Sequence, residues 1–252
     1  MRSDPALLTG PGAGAGSAAG QAGQAAASVA LPAAVFFDMD GLRVDSEPVW
    51  TIAEVELAIR LGGVFTAELK AAVVGTRLEV AVPTILGFYD APDGPEDVAR
   101  TSAWLLERMV GLFGASALPL MPGAAELLTV LRRAGVPVAL VSSSYRVLVD
   151  AVLAHGVGPF DVTIAGDEVT HGKPHPEPYL LAASRLGVDP RDCVALEDSP
   201  AGIAAGHAAG CAVVAVPSVA GVVITPAARQ LVAGSLAGVD LAALRRLLTP
   251  TT

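Results

Sequence analysis

The stretch Ala33 to Pro48, AAVFFDMDGLRVDSEP, limits what this chain can fold into more than any other. Ala33 to Phe37 is a short apolar run rich in β-formers and reads as a buried strand. Asp38 and Asp40 follow at i and i+2, then Gly41. On an extended backbone, i and i+2 side chains share a face, so both carboxylates leave the strand end together. Open α/β sheets bind their ligands at that carboxyl edge. Two anions held so close repel each other, and a metal ion, a cationic substrate or a shared proton relieves the repulsion. Taken alone, the same residues also describe a strand followed by an acidic glycine turn.

The remaining chain decides between these readings. Apolar spacing predicts helices over 49–61, 66–74, 78–88 and 95–113, with Gly62-Gly63, Gly75-Thr76-Arg77 and Ala91-Pro92-Asp93-Gly94 as breaks. No strand pattern falls between Pro48 and Leu118. Beyond that point strands over 136–141, 162–165, 193–196 and 212–216 alternate with helices over 122–133, 146–153, 178–186 and 201–209. Such alternation predicts a Rossmann-like parallel sheet with helices on both faces. Right-handed crossovers then bring every strand end to one edge. The expected organisation is a Rossmann-like core over 31–46 and 118–252, interrupted by an all-helical insert over 47–117 that is large enough to be a small lid. Residues 1–30 are low-complexity Ala/Gly sequence and are expected to form a disordered tail. They contain no G-x-G-x-x-G spacing and no continuous signal-peptide core.

Charge and cysteine content exclude some functions. A formal net charge of −9 disfavours nucleic acid and anionic membrane surfaces as partners. The apolar stretch 201–224 is interrupted by His207, Pro217 and glycines, so a buried helix and strand explain it better than a membrane span. Cys193 and Cys211 lie beside or within apolar runs and are expected to be free, buried thiols. That fits a reducing cytoplasm.

Collected at the strand ends are Asp38 and Asp40, Ser142, Lys173 in Gly172-Lys173-Pro174, and Glu197-Asp198. Four carboxylates, a hydroxyl and a lysine suit Mg²⁺ and phosphate chemistry, because a cation lets an anionic nucleophile approach an anionic substrate. Each piece has a plainer alternative: a turn serine, a solvated lysine, an acidic helix cap. Their joint occurrence, each after a predicted strand, favours a site.

FFDMDGLRVDSEP, LVSSS, GKPHPEP and ALEDSPAGI resemble the four motifs of the haloacid dehalogenase-like hydrolases. The pattern is most similar to the phosphatases and sugar phosphomutases that carry a helical cap after the first motif. The resemblance spans about residues 33–217. It implies that Asp38 is the nucleophile forming an aspartyl-phosphate and that Asp40 is the general acid and base. Ser142 would bind the transferring phosphoryl group, and Lys173 would balance charge. Mg²⁺ would be held by Asp38, Asp198, the Asp40 backbone carbonyl, and Glu197 directly or through water. Gly41, Gly75, Thr76, Arg77, Ser143, Ser144 and Arg146 become candidates for substrate binding. An acid at Asp40 argues against dehalogenation.

The resemblance therefore implies a Mg²⁺-dependent phosphatase for a small phosphomonoester such as a sugar or polyol phosphate, acting as a monomer. The alternatives are a β-phosphoglucomutase-like sugar phosphomutase and a non-catalytic binding module on the same fold. Trp50 stands where β-phosphoglucomutases place a histidine, which weakens the mutase reading. Arg43 replaces an apolar residue of the pattern. A charge there either alters cap closure or snorkels to water, and the second is the favoured expectation.

Overall fold

A computed structural model describes residues 30–115, 117–218 and 224–249 of the chain. Apart from Ala30, the expected tail lies outside the described residues. Six strands form one sheet: β1 (Ala34–Phe37), β2 (Val138–Val141), β3 (Val162–Ile164), β4 (Cys193–Glu197), β5 (Ala212–Ala215) and β6 (Gln230–Val232). Their spatial order is β3-β2-β1-β4-β5-β6, and every pairing is parallel. β1 is central, with Phe37 level with Leu140 on one side and Leu196 on the other. The strand ends carrying Asp38, Ser142 and Glu197 therefore meet at one point of the sheet edge.

Strands β1, β2, β4 and β5 are buried along their whole length, as expected when helices cover both faces of a parallel sheet. Alternation divides β1 between two cores. Val35 and Phe37 face α5 (Ala124–Arg133), α6 (Arg146–Leu153) and α9 (Leu241–Leu248). Ala34 and Phe36 face α7 (Glu177–Leu186) and α8 (Pro200–Ala208). Four helices fill the stretch where no strand was expected: α1 (Glu47–Arg60), α2 (Ala67–Val73), α3 (Leu78–Phe88) and α4 (Pro95–Ala115). The first three share a small apolar centre of Leu57, Leu69, Val73, Ala81 and Ile85, against which Trp104 of α4 packs. Leu105, Met109 and Phe113 of α4 instead join the main core, and α4 packs along α6.

The two backbone crossings between these helices and the sheet run side by side. Asp45 N–H donates to Pro119 O at 2.9 Å, Met121 N–H donates to Arg43 O at 3.1 Å, and Val44 bridges Leu120 in antiparallel sense.

Arg43 corrects the sequence reading. It does not snorkel, being only 2% exposed. Its Nε donates to Val157 O at 2.9 Å and its Nη2 to the same oxygen at 2.5 Å, while Nη1 has no partner among the described residues. Burial lowers its pKa, and Glu126 partly offsets that. The guanidinium is thus clamped to the loop beyond α6. Among the described residues, no helix is long and apolar enough to cross a membrane.

Candidate active site

Asp38 follows β1 directly and is held in register by its N–H donating to Leu196 O at 3.0 Å. Lys173 reaches it from the loop between β3 and α7. The ammonium donates to Asp38 Oδ1 and Glu197 Oε1, both at 2.6 Å, and to Val141 O at 2.9 Å. The Lys173 side chain is 3% exposed, so no water shell competes for it. Glu197, wholly buried at the end of β4, also accepts from the Tyr179 hydroxyl. Gly202 makes room for this carboxylate, since a Cβ there would stand 2.0 Å from Glu197 Oε1.

Asp198 sits one residue further and accepts from Ser218 Oγ at 2.5 Å. Gly41 turns the chain back with φ +76°, and a Cβ there would lie 2.3 Å from Asp198 Oδ2. Only glycine meets both demands. Asp40 is oriented by hydroxyls: Ser46 donates to Oδ1 at 2.6 Å, and Ser144 to Oδ2 at 2.8 Å. Ser142 is longer at 3.3 Å and accepts from the Ser144 N–H at 2.9 Å.

The electrostatics show a shortage of positive charge. Burial pushes Asp38 well above the ordinary carboxylate range. Lys173 pulls it back, and Glu197, Asp198 and Asp40 push it up again. Burial also raises Asp198, to about 7, with Glu197 adding to the rise and Ser218 and Lys173 opposing it. Burial disfavours the Lys173 charge, yet Asp38 and Glu197 outweigh it and hold the ammonium protonated. One lysine thus faces several carboxylates. Oxygens of Asp38, Glu197 and Asp198 lie within 4.8 Å of one another. An all-oxygen, anionic donor set of this kind fits a hard divalent cation.

A cavity of about 180 Å³ opens over this edge. Its core side includes Asp38, Asp40, Gly41, Ser143, Ser144 and Asp198, and its helical side includes Gly75, Thr76 and Arg77. These sequence-predicted residues are brought together. Ser142, Lys173 and Glu197 stand just behind the wall. Arg146 is not brought to the cavity: its guanidinium is drawn away by Glu168, Asp150 at 3.2 Å and Thr163 Oγ1 at 3.0 Å. Arg77 lines the cavity, but Nη2 already donates to Gly166 O at 2.8 Å. Glu79 beside it accepts from the Tyr145 hydroxyl at 2.7 Å, a second link from α3 to the core.

Sequence reasoning missed Ser46, Tyr179 and Ser218. Ser46 lies within the first motif, six residues beyond Asp40, and its spacing was the available signal. It also missed the buried Glu54, which shares Lys70 with Glu47, at 2.8 and 2.6 Å, near the cavity's helical wall.

Comparison with known proteins agrees with this geometry. The model of the haloacid dehalogenase-like hydrolase family matches residues 32–210. Hexitol phosphatase B of Escherichia coli (strain K12) is 34% identical over 190 residues, covering 73% of this chain and 83% of that protein. The probable pseudouridine-5'-phosphatase of Drosophila melanogaster is 35% identical over 189 residues, covering 72% and 80%. The crystal structure of CbbY from Rhodobacter sphaeroides in complex with phosphate superposes with a TM-score of 0.74 at 28% identity, covering 83% of this chain and 96% of that one. By the family model and by these relatives, the chain belongs to the haloacid dehalogenase-like hydrolases.

Proposed function

We propose that the chain is a Mg²⁺-dependent phosphatase that hydrolyses a small phosphomonoester, a sugar or polyol phosphate, through an aspartyl-phosphate on Asp38. One observation carries the reading: the Lys173 ammonium 2.6 Å from Asp38 Oδ1, with Asp198 in the same carboxylate cluster and Asp40 two residues away. Relatives named as phosphatases of hexitol and of carbohydrate phosphates support the substrate class.

Lys173 holds Oδ1 of Asp38, which leaves Oδ2 to attack phosphorus. The Asp38 Oδ2–P bond forms as the bond from phosphorus to the leaving alcohol oxygen breaks. Asp40, aimed by Ser46 and Ser144, gives its proton to that oxygen. Asp40, now a carboxylate, takes a proton from water as the water oxygen attacks phosphorus. The Asp38 Oδ2–P bond then breaks and inorganic phosphate leaves. Ser142, now weakly bonded to Asp40 just behind the wall, would turn its hydroxyl to a phosphoryl oxygen. Asp38, Asp198 and the Asp40 backbone carbonyl would hold Mg²⁺, which when bound neutralises phosphoryl charge and relieves the crowding of the carboxylates. Glu197 serves chiefly to hold Lys173 in place.

Helices α1 to α4 act as the cap, over the expected range 47–117, and exclude water from the cavity. The free, buried state of both cysteines supports a reducing, cytoplasmic setting. The test is phosphate release from a panel of phosphomonoesters with Mg²⁺ and with chelator. Release from sugar or polyol phosphates that stops in chelator supports the reading. Isomer interconversion without steady phosphate release would replace it with a mutase.

A further inference from the structure

A second group of metal-ligating side chains lies outside the cavity, on the outer side of the loop that delivers Lys173. His171, His175 and Glu177 each offer one donor atom, and these atoms lie within 4.8 Å of one another. His171 Nδ1 stands 3.0 Å from Glu177 Oε2, and His175 Nδ1 stands 4.0 Å from the same oxygen. Donor atoms ~2 Å from a shared ion stand about 3–4 Å apart, so the three need little adjustment. The imidazole rings lie against each other with centroids 4.7 Å apart.

Part of this arrangement has an ordinary explanation. Glu177 accepts from the N–H groups of Thr170 and His171, both at 2.9 Å, and so closes the turn before α7. That explains the carboxylate and fixes where it points. The same turn holds both imidazoles beside that carboxylate, with His171 Nδ1 hydrogen-bonded to Glu177 Oε2 and the Glu177 N–H donating to His175 Nδ1 at 3.3 Å, while the side chains stay 63% and 51% exposed and open to an ion. The chain has only four histidines, and the other two are engaged singly elsewhere, His155 with Phe113 O and His207 with Gln230.

We propose that His171, His175 and Glu177 form a surface site for one borderline transition-metal ion of the Zn²⁺, Ni²⁺ or Cu²⁺ class. Two imidazoles and one carboxylate select such ions over Mg²⁺, which takes oxygen donors and retains its waters. The all-oxygen cluster of the cavity has the opposite preference, so the two sites sort different metals. Solvent completes the coordination at the exposed site.

The experiment uses the full chain saturated with Mg²⁺. Calorimetric titration with Zn²⁺ should show one saturable site. His171→Ala and His175→Ala should each weaken it by at least about tenfold, since even the outer partners of a metal matter on that scale. With one equivalent of Cu²⁺, electron paramagnetic resonance should show coupling to two imidazole nitrogens, falling to one in either variant. Far-ultraviolet circular dichroism and the melting temperature report that the variants are folded. No saturable Zn²⁺ binding, equal affinity in parent and both variants, or an oxygen-only copper spectrum would each overturn the site. None of these readouts depends on the proposed phosphatase reaction.

Discussion

At the scale of single residues, the proposed mechanism rests on each carboxylate having a different set of partners. Asp38 shares a lysine, Asp40 accepts from hydroxyls, and Asp198 accepts from Ser218 beside Gly41. Asp38→Asn should abolish phosphate release while leaving the fold intact. Loss of a nucleophile costs at least about a thousandfold in turnover, and a variant retaining more than that would show that Asp38 does not attack phosphorus. Gly202→Ala is the subtler test. The added methyl meets Glu197 Oε1 at 2.0 Å, so the carboxylate must shift and Lys173 loses one of its partners. Turnover should fall tenfold or more with little change in KM, measured on the same substrate panel. Asp38, Asp40, Ser142 and Asp198 were legible in the sequence because a strand end fixes where a short side chain points, whereas Lys173, long and on a loop, was legible only through its Gly172-Lys173-Pro174 motif. Arg43 and Arg146 were not. A long charged side chain goes where distant partners allow, here Val157 O for one and Thr163 and Glu168 for the other.

At the scale of elements, the alternation of apolar runs with helical spacing gave the order of helices and strands as far as β5. The short edge strand β6 and the terminal α9 went unread. Three residues of half-exposed edge, Gln230 to Val232, carry no alternation long enough to see. Helix α9 has only eight residues, and its N-cap Asp240, accepting from Ala243 N–H at 2.7 Å, was its one clear sign. The start of α3 is where element structure bears on substrate choice. Arg77 spans from this helix to Gly166 O, and its Nε has no partner among the described residues while the side chain lines the cavity. Arg77→Ala should alter relative kcat/KM among phosphomonoesters several-fold, with the Mg²⁺ requirement unchanged. A uniform fall across the panel would mean that Arg77 serves only to hold the helices over the site.

Across the whole molecule, the crowded carboxylates couple metal, pH and stability. Asp198 is raised to about 7 in the folded chain against an ordinary value near 4 in the unfolded one. Between those values the folded state holds a proton that the unfolded state has lost. The metal-free protein should therefore lose stability as pH rises from about 4 through 7, which a series of melting temperatures in chelator would show. Mg²⁺ affinity should run the other way, rising with pH up to about 7 and levelling above it, because the ion competes with that proton. A melting temperature in chelator that climbs over this range would contradict the assignment. The paired crossings at Val44 and Leu120 have a consequence at the same scale. A body joined by one strand can swivel in any direction, whereas two strands laced by hydrogen bonds resist twisting and shear. The helical layer is held against twisting at this ribbon and held again by α4, whose Leu105, Met109 and Phe113 sit in the main core along α6. Arg43, pinned to Val157 O from within the ribbon, fixes it to the loop beyond α6. The wall bearing Arg77 is thereby kept in one register above Asp38.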